Sequence, residues 1–312
     1  MSSANPQHEI VLSGLDGANP LGFLAALGTL KLLDRARPEW NARLSWVQRG
    51  GWRARLHSHT PLAPDQVIIC LAPLLQAKRH PAESWSELQT DDFAIVRELL
   101  RSARQRASCK LRGDCDYLAA FASGVPGSNG KLLRSPIVLP RSDYFTGNVR
   151  QIVKETTGEH IRRTLFAPWD YADALDNRSL RLDPSEDRRH ALQLHAPTSD
   201  PARKKRGNML GANRLALEAL PLFTFHDDRR RPEAVAFHYD RQRRVYEFIW
   251  PIWCSPVSSA GLQSLLALAE LRDSPERVRD IGARGIAAIF RSDRLEIGGS
   301  QKKFNLTPGM PV

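Results

Sequence analysis

The most constraining stretch of the chain is Pro20 to Leu33, PLGFLAALGTLKLL, which is apolar around nearly its whole circumference when wound at the helical period. An amphipathic helix can rest on a surface, but a helix of this kind has to be covered on more than one side. Any fold built from this sequence must therefore supply two layers around it. Asn19 and Pro20 form a good N-cap and first helical position. Gly22 and Gly28 stand where a neighbouring backbone could come close. Residues 20–35 are thus expected to be the buried spine of an N-terminal α/β region.

The remaining elements follow from pattern. Ile10 to Leu12 reads as a short strand. Leu44–Gln48 and Trp52–Leu56 alternate about Gly50–Gly51, which predicts a β-hairpin with Trp52, Ala54 and Leu56 inward and Arg53 and Arg55 outward. Asp65 to Gln76 is helical, with Pro73 kinking or ending it. Asp91 to Ala107 carries an apolar stripe of Phe93, Val96, Leu99, Leu100 and Ala103, with Arg97, Arg101 and Arg104 on another face. Asp116 to Ser123 is a short helix, residues 137–139 a short strand, and residues 143–166 two helical pieces separated by Gly158. The helix beginning at Gly211 is stopped by Pro221. Two strands, 234–240 and 245–253, form a hairpin over 234–251 whose tip holds Arg241, Arg243 and Arg244. A helical segment over 258–282 and a strand over 285–290 precede a flexible basic end. The class expected is α+β, with mixed or antiparallel sheets, packed helices and a small helical C-terminal part. A weak boundary near residues 125–135 divides the chain into regions 1–130 and 131–312.

Charge narrows the partners. Among 312 residues, 45 Lys and Arg stand against 34 Asp and Glu, a formal net charge of +11. Such an excess favours polyanions, nucleic acid before anionic membrane. No run approaches the length of a membrane span, and the first residues lack a secretory pattern. Four scattered cysteines fit a reduced, cytoplasmic protein.

Catalytic signatures are scarce. GVPGSNGK, from Gly124 to Lys131, is one residue too long for a phosphate loop and has Leu132 where Ser or Thr would hold magnesium. Cys109 and Cys115 lack zinc-site spacing. His57 and His59 are expected at the surface. No G-x-S-x-G or H-E-x-x-H occurs. Acid clusters (Asp170, Asp173 and Asp176; Asp183, Glu186 and Asp187; Asp227 and Asp228) keep a metal-dependent nuclease as one alternative. A structural scaffold that binds mainly other proteins is another. The reading preferred has no catalytic residue, no metal and no cofactor.

Candidate contacts to nucleic acid are the cationic and amide side chains in loops and at helix starts. Arg203, Lys204, Lys205 and Arg206 precede a helix, whose first N–H groups favour phosphate. Asn213 and Arg214 lie at the start of that helix. Asn129 and Lys131 sit in the Gly-rich loop, Arg150 on the first helical piece after it, and Arg241, Arg243 and Arg244 at the hairpin tip.

Three stretches carry a family likeness: LDGANPLGFLAALGTLKLL from Leu15, LDPSEDRRHAL from Leu182, and GANRLALEALPLF from Gly211, with IWPIW and RGIAAIFRSDR further on. Together they are similar to CRISPR-associated proteins of type I-U (now I-G) effector systems, and the chain resembles a short Cascade large-subunit-like protein. The resemblance implies a non-catalytic subunit of a crRNA-guided surveillance complex, with crRNA and target DNA as ligands. It implies further that the subunit reads the motif flanking the target near the crRNA 5′ end. Its partners would be the backbone and crRNA-capping subunits and a transiently recruited helicase-nuclease, with no membrane involved.

Overall fold

In the computed structural model, which describes residues 8–75, 78–90, 92–107, 112–126, 132–184, 207–227, 231–272, 281–297 and 303–312, the apolar stretch forms helix α1, Pro20–Ala36. The Asn19 side chain accepts the N–H groups of Leu21 and Gly22 at 2.8 and 3.1 Å, satisfying two of the donors that a helix start leaves open. Every residue from Pro20 to Leu30 is buried.

The covering of α1 includes two sheets and a buried helix. The first is a four-stranded antiparallel sheet of β1 (His8–Asp16), β2 (Arg43–Gln48), β3 (Trp52–Ser58) and β10 (Val257–Ser258), in the order β1-β3-β2-β10. The second is a larger sheet ordered β12-β11-β9-β8-β7-β6. Its strands are β6 (Phe225–Asp227), β7 (Pro232–Ala234), β8 (Phe237–Asp240), β9 (Val245–Trp253), β11 (Ile286–Ile297) and β12 (Lys303–Leu306), and β13 (Met310–Pro311) also pairs with β11. Its pairings are antiparallel throughout. The third covering is helix α7, Leu210–Ala219, itself buried at every position.

Phe23 of α1 joins the two sheets. Its ring lies 5.7 Å from Trp46 of β2, and 5.9 and 6.1 Å from Trp250 and Trp253 of β9. The indole N–H groups of Trp250 and Trp253 donate to the carbonyls of Gly17 and Leu44 at 2.8 and 2.7 Å, so these large rings are buried without a stranded donor.

The other helices are α2 (Pro64–Leu75), α3 (Phe93–Ala107), α4 (Arg112–Phe121), α5 (Ser142–Glu155), α6 (Gly158–Phe166) and α8 (Ser259–Leu266), with a short hairpin of β4 (Ala122–Pro126) and β5 (Leu132–Arg134). The class is α+β, with antiparallel sheets and packed helices. One hydrophobic cluster runs from Leu12 to Leu306, crossing the region 125–135, where β4 and β5 pair with each other.

Several elements depart from their sequence patterns. The run 234–240 is not one strand: Ala236 adopts φ 63°, and a two-residue turn at Val235–Ala236 separates β7 from β8. Alanine rarely takes that conformation, so nothing in the residue types announces the turn. Residues 137–139 form no strand, although all three are buried. The strand expected over 285–290 runs from Ile286 to Ile297, and the basic end expected to be flexible contributes β12 and β13.

Candidate nucleic-acid interface

The tip between β8 and β9 is built by Asp240. One carboxylate oxygen accepts the backbone N–H groups of Gln242 and Arg243 at 2.8 and 3.0 Å, holding the carboxyl below its usual range. Arg244 then takes φ 58°, the left-handed step that lets a longer turn rejoin the ladder at Val245, opposite Asp240. The tip therefore has a set shape.

Strand alternation puts Glu247 and Asp293 on one face of the sheet and Tyr239 and Tyr246 on the other. Glu247 and Asp293 are cross-strand partners, and Arg243 reaches both, with Nη1 donating to Asp293 at 3.1 Å. Arg291 lies 3.6 Å from the same glutamate. Burial pushes the Glu247 carboxyl up, and these arginines oppose that shift. Arg243 is thus tied to acids, which corrects its expected role as an open phosphate contact.

Arg241 and Arg244 are exposed and line the other side. With Arg231 and Tyr239 they border a cleft of about 520 Å³. The Arg231 guanidinium lies 3.6 Å from the centre of the Tyr239 ring. Tyr239 meets Tyr246 edge-on at 5.0 Å, and Tyr246 is the cross-strand partner of Arg294. Arg294 in turn stacks 3.4 Å from the Phe304 ring, and burial pulls its guanidinium down to about 10. The Tyr246 phenol is pushed up to about 12 by burial. A row of cations and rings, Arg231, Tyr239, Tyr246, Arg294 and Phe304, thus crosses the strands of the sheet.

The other expected contacts lie elsewhere. Arg150 is on α5, 63% exposed, and its Nε donates to Glu83 at 2.8 Å. Asn129, Lys131, Arg203, Lys204, Lys205 and Arg206 lie outside the described residues. Asn213 and Arg214 are fully buried, which corrects the expectation of a surface pair at the start of α7. Asn213 accepts the Leu180 N–H at 2.8 Å and donates to the Met209 carbonyl at 3.2 Å. Arg214 donates to Glu218 at 2.8 Å. The cause is geometric: α7 is enclosed all round, so polar groups on it are satisfied within the protein.

Glu218 also holds His80 Nε2 at 3.1 Å and Arg35 at 3.6 Å. The N–H of Ala82 donates to His80 Nδ1 at 3.1 Å, so Nδ1 must be bare and Nε2 must carry the proton that Glu218 accepts. His80 is therefore a neutral imidazole. Burial lowers its pKa below 6.5, with the Glu218 hydrogen bond opposing that shift. Burial alone would raise Glu218, but the His80 hydrogen bond and the Arg214 charge hold its carboxyl far below the usual range.

The unfolded chain takes up a proton at His80 that the folded chain resists. Stability should therefore fall as pH drops below about 6.5, the unperturbed value. Glu218 adds its own loss only below the ordinary carboxylate range. Urea midpoints at pH 7.5 and 5.5 should show the decline, and His80→Gln should make it shallower. An equal slope in that variant would place the responsible group elsewhere.

Of the acids named in the sequence, Asp170, Asp173 and Asp183 are engaged within the fold, and Glu186, Asp187 and Asp228 lie outside the described residues. Asp183 is fully buried and accepts the Asn19 amide at 3.2 Å and the Tyr171 hydroxyl at 2.9 Å. Asp173 accepts the Leu210 N–H at 2.8 Å and pairs with Arg163, which also reaches Asp170 at 3.2 Å. Among the described residues, no three His, Cys, Asp or Glu side chains converge on a metal position. His57 is buried rather than superficial. Its Nε2 is 2.7 Å from Ser45 Oγ and its Nδ1 3.2 Å from Glu9, but Ser45 is fully enclosed, so this line of groups faces no substrate.

Arg231, Tyr239, Tyr246 and Arg294 escaped the sequence reading. The two tyrosines could have been found by counting back from the hairpin tip, since Tyr239 and Tyr246 face each other across it. The stacking of Arg231 and Arg294 had no local signal. The chain matches no known family model and none of the curated proteins. No described helix is long and apolar enough to cross a membrane.

Proposed function

We propose that the chain is a non-catalytic, nucleic-acid-binding subunit of a type I CRISPR crRNA-guided surveillance complex, working in the cytoplasm in antiviral defence. In this reading it touches crRNA near its 5′ end and target DNA beside the flanking motif. It packs against the backbone and crRNA-capping subunits and helps to recruit the helicase-nuclease.

The observation that carries the nucleic-acid reading is the pre-shaped hairpin tip, which presents exposed Arg241 and Arg244 beside the Arg231–Tyr239 pair. A turn backbone already set in shape loses little freedom on meeting phosphate, and nearby rings suit bases. The CRISPR assignment rests on the family likeness. Described residues of three of its stretches touch: α1 packs on α7 at Gly28 and Leu215, and Asp183 is bonded to Asn19. Gly28, Leu215 and Asp183 are all buried.

Titrating the wild-type chain and an Arg241→Ala/Arg244→Ala variant into a labelled oligonucleotide across a salt series tests this reading. Each lost phosphate contact should lower the slope of log affinity against log salt by about one, so the pair should lower it by about two. The variant should keep its unfolding midpoint. An unchanged slope would remove the tip from the interface. Failure of the wild-type chain to bind at all would favour the scaffold role. Purification from its source with a small RNA of repeat-derived sequence would support the assembly named here.

A further inference from the structure

The cleft beside the hairpin tip raises a narrower question than the tip itself, namely which form of nucleic acid it accepts. Its volume, about 520 Å³, lies within the range of about 300–1,000 Å³ typical of small-ligand pockets. A duplex presents phosphates along a broad rod and keeps its bases stacked inside. Such a rod can touch Arg241 and Arg244 but cannot enter the cleft. A single nucleotide whose base has left its stack can.

The lining suits that ligand. Arg241 and Arg244 belong to the tip, Tyr239 to β8, and Arg231 stands just before β7. The Tyr239 ring is held by its neighbours, with Arg231 3.6 Å from its centre and Tyr246 edge-on at 5.0 Å. A base can extend this stack, because flat guanidinium groups and rings both accept a π-face. Phosphate would then sit among the guanidinium groups, which favour it as planar donors. Arg243 is turned to the opposite face, on Glu247 and Asp293, and takes no part.

From this arrangement we infer that the cleft bounded by Arg231, Tyr239, Arg241 and Arg244 takes one unstacked nucleotide of a single-stranded nucleic acid, in preference to duplex. The inference rests on the nucleic-acid reading above and specifies the ligand of that same site.

The test uses the full chain. Anisotropy is measured with a labelled single-stranded oligonucleotide and with the duplex of the same sequence, at one salt concentration. Single strand should bind about tenfold tighter, the scale of one base stacked on a side chain. Arg231→Gln/Tyr239→Leu should bring the two affinities to within about twofold of each other by weakening the single strand alone. Because that variant could fold poorly, wild-type chain is also photocrosslinked to a 5-bromouridine oligonucleotide, and the attached peptide should contain Tyr239.

Equal wild-type affinity for strand and duplex overturns the inference and leaves the broader nucleic-acid reading intact. A crosslink mapping only to other segments does the same. Binding of neither form overturns both. A mononucleotide that displaces the oligonucleotide at equal concentration assigns the cleft to free nucleotides and overturns the single-strand assignment.

Discussion

Replacing Arg214 by methionine is expected to destabilise the protein by about 3–5 kcal/mol, the scale on which one member of a buried ion pair is lost. Arg214 is fully buried, and its Nη1 donates to Glu218 at 2.8 Å. Its Nη2 points at the Leu74 carbonyl at 3.5 Å, so the side chain also ties α7 to α2. Methionine preserves much of the apolar stem but removes the charge.

Glu218 would then remain enclosed beside a neutral imidazole and Arg35, which lies 3.6 Å away and is itself 57% exposed. A weakly placed surface cation cannot replace a buried one. Against a usual domain stability of about 5–15 kcal/mol, such a loss is large. Adding Glu218→Gln to Arg214→Met should recover part of it, because the stranded charge disappears. Urea midpoints of the single and double variants give the coupling. A single-variant loss below about 1 kcal/mol would mean that water reaches Glu218, and the account of a closed ionic centre would fail.

Gly28→Ala should come next in size, for a reason unrelated to charge. A Cβ at this position would lie 1.8 Å from the Leu215 carbonyl oxygen, inside the crossing of α1 and α7. The obstacle is backbone in a buried helix, so no side-chain rotation relieves it. Overpacking of this kind costs about 1–3 kcal/mol or more, and a backbone obstacle places the variant at the upper end. Gly147→Ala is the matched control. That glycine is also helical, on the exposed side of α5, and a Cβ there meets nothing within 4 Å. It should be stabilising by about 0.5–1 kcal/mol through helix propensity and unfolded-state entropy. Equal shifts for the two alanine variants would show that the helices can separate at little cost.

Much of the architecture was legible in particular residues. The all-apolar circumference of α1 required cover on several sides, and two sheets and α7 supply it. Gly50–Gly51 and the alternation around it fixed the register of β2 and β3, with Ala54 and Leu56 inward. The α+β class followed from these local patterns. The candidate interface was legible only at its tip. Arg241, Arg243 and Arg244 look equivalent as letters, yet only the first and last line the cleft.

What the sequence determined by itself was what must be hidden and where the chain could turn, because periodicity and residue type act over a few neighbouring positions. What only the tertiary structure decided was the use of each polar group. Arg214 and Asn213 became interior bonds because α7 is enclosed, Asp183 became a tether for Asn19, and Arg231 met Tyr239 through strands brought together by pairing. A charge has no fixed role along a chain. Its role follows from which partners, and how little water, the fold leaves around it.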